Sequence, residues 1–302
     1  PATLAGGNLI QSSSIASSLE AAYGLPRLSV GLATALLAGL VMIGGLGRIA
    51  AVSSALVPAM ALLYLGSGAA VLAANWTRIP QALGLIFSCA LSPAAAAGGG
   101  AGWTISAALR YGAARGVFTN EAGLGTSAMA HGAAQTDHPA HQGMWGIFEV
   151  FLSTLLVCTV TALAILVSGV WGSPPLEALT GAPLTARAFS SVLGGFGEGA
   201  VALSLLLFAF SSILGWSYYG EQCLSFLFCE RGRRKKKILP VSSKTGYIFL
   251  YRAIFLGGTV LGAVWNPQAI WQLVDLCNAL MALPNLAVLL ALAPQALALL
   301  RD

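Results

Sequence analysis

Long apolar blocks recur along this chain, each near the roughly 20 residues that a helix needs to cross a bilayer. They predict continuous spans near 28–46, 53–74, 144–170, 199–221, 246–264 and 271–300, the last kinked at Pro284 and Pro294. Two further stretches are less regular. Residues 2–23 carry Asn8, Gln11 and a run of serines, too polar a face for lipid. Residues 80–114 are apolar but interrupted by SPAAAAGGGAG at 92–102. Glycine costs a helix interior about 1 kcal/mol relative to alanine, so this stretch predicts two half-helices joined by an unwound middle. Between the spans, 171–198 predicts a loop with a short surface helix over 184–194. The longest connection, 109–143, predicts a helix near 120–134 with Asn120 as its cap.

Composition agrees with that pattern. Hydrophobic residues make up 57% of the 302 and charged residues 8%, with a mean hydropathy of +0.81. Soluble domains carry roughly 25% charged residues, so this chain cannot cover its surface in water. An all-α polytopic membrane protein follows, and a cytosolic enzyme, a secreted disulfide scaffold and a nucleic-acid reader are excluded. The net charge of +5 is concentrated in one segment. When the broken stretch counts as one crossing, the loops alternate sides. Arg48, Arg110, Arg115, Arg231, Arg233, Arg234, Lys235, Lys236, Lys237, Lys244, Arg252 and Arg301 then share one side, against Arg27, Arg78 and Arg187 on the other. The positive-inside bias assigns the first group to the cytoplasm and supports eight crossings. Counted instead as a re-entrant loop, the broken stretch would put Arg48 and the basic run on opposite sides.

Several residues carry chemistry, each with a plainer reading beside it. Asn8, Gln11, Ser14 and Ser18 recur at three- and four-residue intervals, as a wall of a polar cavity or as hydrogen-bonding glue between helices. Glycines 98, 99, 100 and 102 allow close helix packing, but they also suit a discontinuous helix that exposes backbone to a solute. Ser204, Ser211, Ser212 and Ser217 either bond back to the preceding turn or offer oxygens to a hard cation such as sodium. His131, His138 and His141 lack the cysteine or carboxylate companions of a metal site. Cys89, Cys158, Cys223, Cys229 and Cys277 read as small apolar fillers rather than disulfide or metal partners. Glu149 and Asp275 lie in or near apolar spans, where acids attract functional interest by default.

The segment GVFTNEAGLGTSAMAHGAAQTDHPAHQG at 116–143 resembles the alanine or glycine:cation symporter family, also called sodium:alanine symporters. Gly7–Asn8 followed by Gln11, IGGLGRIAAVSSALVPAMALLY at 43–64, FAFSSILGWSYYGE at 208–221 and LPNL at 283–286 extend the likeness over nearly the whole chain. The resemblance implies a leucine-transporter-like inverted-repeat fold, present in part, with about eight transmembrane helices, one of them unwound. Residues 1–302 would be a single transmembrane transporter domain that begins in the third core helix and lacks the first two. Asn8, Gln11, Ser13, Gly98, Gly99 and Gly100 would bind substrate, and Ser211 and Ser212 would bind the ion. Ser13 stands where the family usually has Asn, and Ser153 with Thr154 where it has an Asp-Thr pair.

The implied function is secondary active transport: symport of alanine or glycine, driven by sodium or protons, by alternating access in a cell membrane, the bacterial inner membrane. Partners would be the amino acid, sodium as coupling ion and the lipid bilayer, with no other cofactor, no nucleic acid and no enzymatic chemistry. The rival reading is a truncated membrane remnant, or a structural membrane protein, without transport activity. Charge placement makes the orientation testable. After removal of the native cysteines, a Lys236→Cys variant should resist an impermeant thiol reagent in intact cells and react after lysis. Labelling from outside would overturn the eight-crossing arrangement.

Overall fold

The computed structural model describes residues 1–91, 105–121, 123–171, 180–230 and 241–299, and among these every regular element is helical. Helix α1 comprises Ala2–Leu4, a π-helical turn Ala5–Leu9 and Ile10–Tyr23. Then follow α2 (Arg27–Ile43), α3 (Gly45–Ala74), α4 (Ile79–Leu91), α5 (Ile105–Asn120) and the short α6 (Ser127–His131). Helix α7 is formed by Pro139–Val150, the π turn Phe151–Val157 and Cys158–Ser168. The chain continues with α8 (Ala182–Leu193), α9 (Gly195–Ser225, extended by the π turn Phe226–Glu230), α10 (Val241–Val264) and α11 (Pro267–Leu299).

Five of the described helices are long and apolar enough to cross a membrane: Gly45–Ala74, Pro139–Ser168, Gly195–Phe228, Gly246–Val264 and Pro267–Leu299. Helix α2, expected as a span, is apolar but has 17 residues, about 26 Å at 1.5 Å per residue. Leu62, Ile147 and Leu290 are 75%, 74% and 78% exposed. Lipid tolerates such a surface where water would not.

Most predicted elements appear within a few residues of their expected limits. The surface helix expected at 184–194 is α8, set between Gly181 (φ 63°) and Gly194 (φ 60°), whose backbone angles favour glycine. The helix expected at 120–134 does not form as one piece. Asn120 ends α5 instead of starting a helix, and the chain turns through Glu121 (φ 52°) and Gly125 (φ 78°) before α6. Two polar contacts hold this turn. Thr126 Oγ1 donates to Glu121 Oε2 at 2.7 Å, and Asn285 Nδ2 on α11 donates to the Gly123 carbonyl at 3.0 Å. A Cβ at Gly125 would lie 2.6 Å from Asn285 Oδ1, so the turn needs glycine for room as well as for its backbone angle. The Gly-rich break at 98–102 and the basic run at 231–237 lie outside the described residues.

The chain divides into two compact units, Pro1–Tyr64 with Gly199–Leu280, and Leu65–Glu198 with Met281–Asp302. In the first, Ile15, Ala38, Met42, Ile213, Leu214, Phe255 and Ala263 form an apolar core, and α10 packs against α1 and α2. Small residues make this close packing possible. A Cβ at Gly31 would sit 2.6 Å from the Ala263 methyl, and one at Gly262 would sit 2.6 Å from the Leu9 carbonyl oxygen. In the second unit the fully buried Phe189 on α8 is the largest core group, alongside Val71, Ala164 and Val167. There α8 and α4 both pack on the last part of α7.

The Gly262 notch meets backbone, which cannot move aside as a flexible side chain can. Gly262→Val should destabilise the protein by about 1–3 kcal/mol, the usual cost of overpacking. Gly257→Ala, whose Cβ would enter open space, should be neutral or slightly stabilising. Thermal unfolding of the two variants in one detergent checks this. Equal melting temperatures would refute the close approach.

Candidate functional site

The polar stripe of α1 is built around its π turn. All of Ala5–Leu9 is buried, and the Ile10 N–H bonds the Ala5 carbonyl five residues back. Gly6 and Gly7 stand where the turn widens, and the Trp216 side chain of α9 occupies the space that a Cβ on Gly7 would need. A widened turn displaces the following side chains around the helix, and such turns recur at functional sites.

Asn8 is fully buried. Its Nδ2 donates to the Phe255 carbonyl at 2.5 Å, and its Oδ1 accepts from Thr259 Oγ1 at 2.8 Å. Ser12 Oγ donates to the Thr259 carbonyl at 2.5 Å. Asn8 and Ser12 therefore face α10 and use their polar groups to join the two helices. Gln11 is placed differently. It is half-buried, and among the described residues its one hydrogen bond is a long one of 3.5 Å from Nε2 to the Gly6 carbonyl. Among the described residues its Oε1 and most of its donor capacity are uncommitted. Ser13 is buried, and Ser14 Oγ donates to the Ile10 carbonyl at 2.8 Å.

On α9, Ser204 and Ser211 stand two turns apart on one face. Ser211 Oγ donates back to the Phe208 carbonyl at 2.9 Å, and Ser217 Oγ to the Leu214 carbonyl at 2.7 Å. The half-buried Ser212 makes no hydrogen bond among the described residues. Ser204 Oγ and Asn278 Nδ2 of α11 are buried without a hydrogen-bond partner there. A buried polar atom left unpaired costs about 1–3 kcal/mol, so both positions are chemically open. The first unit thus brings Asn8, Gln11, Ser13, Ser211 and Ser212 into one body. Gly98, Gly99 and Gly100 lie outside the described residues.

Thr259, Asn278 and the ion pair of Arg252 with Glu221 had no place in the sequence expectation. Arg252 Nε and a terminal guanidinium nitrogen donate to the two carboxylate oxygens of Glu221 at 2.6 and 3.0 Å. The available signal was one opposite charge on each of two apolar helices, since such charges are usually paired. The spacing of Thr259 among Gly257, Gly258 and Gly262 also marked a close helix contact. Arg252 is thus a fixed partner of Glu221.

The histidines have local roles. His138 Nδ1 accepts from the Ala140 N–H at 3.2 Å and caps α7, with Pro139 in its first turn. His131 Nδ1 lies 2.7 Å from Gln142 Nε2, and its Nε2 lies 3.4 Å from Glu149 Oε2. Glu149 thereby meets a cation-capable partner. Asp275 is half-buried on α11. Among the described residues no three His, Cys, Asp or Glu side chains gather where a metal could bind.

The sodium:alanine symporter family model matches residues 2–302. The sodium/alanine symporter AgcS of Methanococcus maripaludis is 37% identical over 286 residues, covering 95% of this chain and 59% of that protein. The probable sodium/glutamine symporter GlnT of Bacillus subtilis is 36% identical over 295 residues, covering 98% and 57%. The sodium/proton-dependent alanine carrier protein of Bacillus sp. PS3 is 34% identical over 304 residues, covering 97% and 65%. The chain therefore spans about three-fifths of the length of the curated relatives it matches. With its apolar helices and a family match over nearly its whole length, this multi-pass membrane protein belongs to the sodium:alanine symporter family.

Proposed function

We propose that this chain is the greater part of a secondary transporter that couples the entry of a small neutral amino acid, alanine or glycine, to sodium or protons by alternating access. Family membership across residues 2–302 carries the reading. Relatives of similar identity are named for alanine and for glutamine. In this reading the fold is the leucine-transporter-like inverted repeat, with about eight crossings here, one of them unwound.

Gln11 is the residue we assign to substrate. It lies one turn beyond the π turn, half-buried, with an amide able to accept from an ammonium and donate to a carboxylate. Ser212 is the stronger candidate of the two α9 hydroxyls for sodium, because Ser211 already donates to its own helix. A neutral hydroxyl oxygen joined by backbone carbonyls suits a hard monovalent cation. Asn8 supports the site from behind by holding the π turn on α10, and Ser13 is assigned a supporting place on the same stripe.

Amino-acid and sodium affinities of the folded, full-length reading frame test these roles. Gln11→Ala should weaken alanine or glycine binding by roughly ten- to a hundred-fold, the value of one hydrogen bond to a charged group. Ser212→Ala should weaken sodium dependence at saturating amino acid by about tenfold. Asn8→Ala should mainly lower the melting temperature, losing about 1–3 kcal/mol through two unpaired partners. Wild-type affinities for both ligands in the Gln11 and Ser212 variants would make those residues packing groups and defeat the assignment.

A further inference from the structure

The second unit contains a cavity of about 260 Å³ between the start of α4 and the end of α7. Arg78 and Gln81 supply its polar edge, and Ala82, Leu85, Leu166 and Val167 its apolar wall. We propose that it holds one anionic phospholipid, its phosphate on Arg78 and Gln81 and the beginning of an acyl chain along Leu85 and Leu166.

Arg78 has capacity to spare. One terminal nitrogen donates to the Val167 carbonyl at 3.1 Å, which caps the C-terminal end of α7. Neighbouring carbonyls there are already served: Ile165 by Ser168 Oγ at 2.8 Å and Leu166 by the Gly169 N–H at 3.2 Å. A guanidinium has five N–H donors, and Arg78 has no acidic partner among the described residues. Gln81 lies three residues further on, in the first turn of α4. It makes no hydrogen bond among the described residues, although α4 is otherwise strongly apolar. A cation and an amide edging a dry wall match a phosphodiester above its hydrocarbon chain.

The depth also fits. Trp76, two residues before Arg78, is 70% exposed, and Trp171, two residues after Gly169, is 60% exposed. Exposed tryptophans at the ends of apolar helices mark the headgroup layer. Residues 76–78 precede α4, on the side that charge placement assigns away from the basic run. The occupant therefore comes from the leaflet opposite the cytoplasm.

The experiment uses the purified, delipidated full-length reading frame, titrated with phosphatidylglycerol or phosphatidylcholine and read by native mass spectrometry. Wild type should bind one phosphatidylglycerol at least about tenfold more tightly than phosphatidylcholine. Arg78→Gln should abolish that preference, Arg78→Lys should restore part of it, and Leu85→Trp, which fills the cavity and leaves Arg78 in place, should weaken both lipids. If Arg78→Gln does not fold, Gln81→Leu and Leu85→Trp decide the matter by the same readout. Unchanged lipid preference in Arg78→Gln, with only a lower melting temperature, would reduce Arg78 to a helix cap. Competition by inorganic phosphate together with no effect of Leu85→Trp would indicate a free-anion site and overturn the lipid assignment.

Discussion

A buried asparagine, with Ser12 one turn on, joins α1 to α10, and much of the first unit depends on this contact. Asn8 is fully buried, and both ends of its amide are used: Nδ2 on the Phe255 carbonyl and Oδ1 on the Thr259 hydroxyl. In an apolar interior an unpaired amide is expensive, so the two helices must meet at this register for Asn8 to be tolerated at all. The glycines set the distance. At Gly262 the α10 backbone lies directly against the Leu9 backbone, and at Gly258 an added Cβ would come within 3.0 Å of Asn8 Nδ2. Polar pairing fixes register, and missing side chains fix separation.

That contact also explains why an irregular turn persists in the opening helix. A π turn sacrifices regular hydrogen bonding and is kept where its surroundings determine it. Here Trp216 fills the place of a Gly7 side chain, while Asn8 holds the widened turn on α10. The consequence appears one turn later. Gln11 emerges half-buried, with most of its amide uncommitted, on a helix whose other polar residues face neighbours or their own backbone. A rigid support behind a partly free side chain is a suitable arrangement for a small-solute site.

The connection between α5 and α6 shows a second use of polar contacts. Alanine-rich sequence favours helix across 120–134, yet the chain turns at Glu121 and Gly125. Local propensity there is opposed by a long-range bond, since Asn285 sits on α11, 162 residues away from the Gly123 carbonyl it binds. Propensity is a weak prior that tertiary context overrides, and nothing within 116–143 announces this partner. The same separation of scales applies to Arg252 and Glu221. Each looks like an isolated charge on an apolar helix, and their bidentate pairing exists only when α9 and α10 lie together.

Hydropathy alone determined that the protein is helical, spans a membrane several times and has elements close to their observed limits, because a bilayer offers no partner for bare backbone and makes length and apolarity decisive. Motif residues further placed Gly7, Asn8, Gln11, Ser211 and Ser212 among the positions worth inspecting. The sequence could not divide them by task. Spacing puts Asn8 and Gln11 on one helical stripe, and either could be glue or ligand. The packed helices distinguish them only by their contacts, because the hydrogen bonds that a polar side chain makes depend on which partners lie within about 3 Å. Asn8 found two such partners on α10, and among the described residues Gln11 kept its amide largely free.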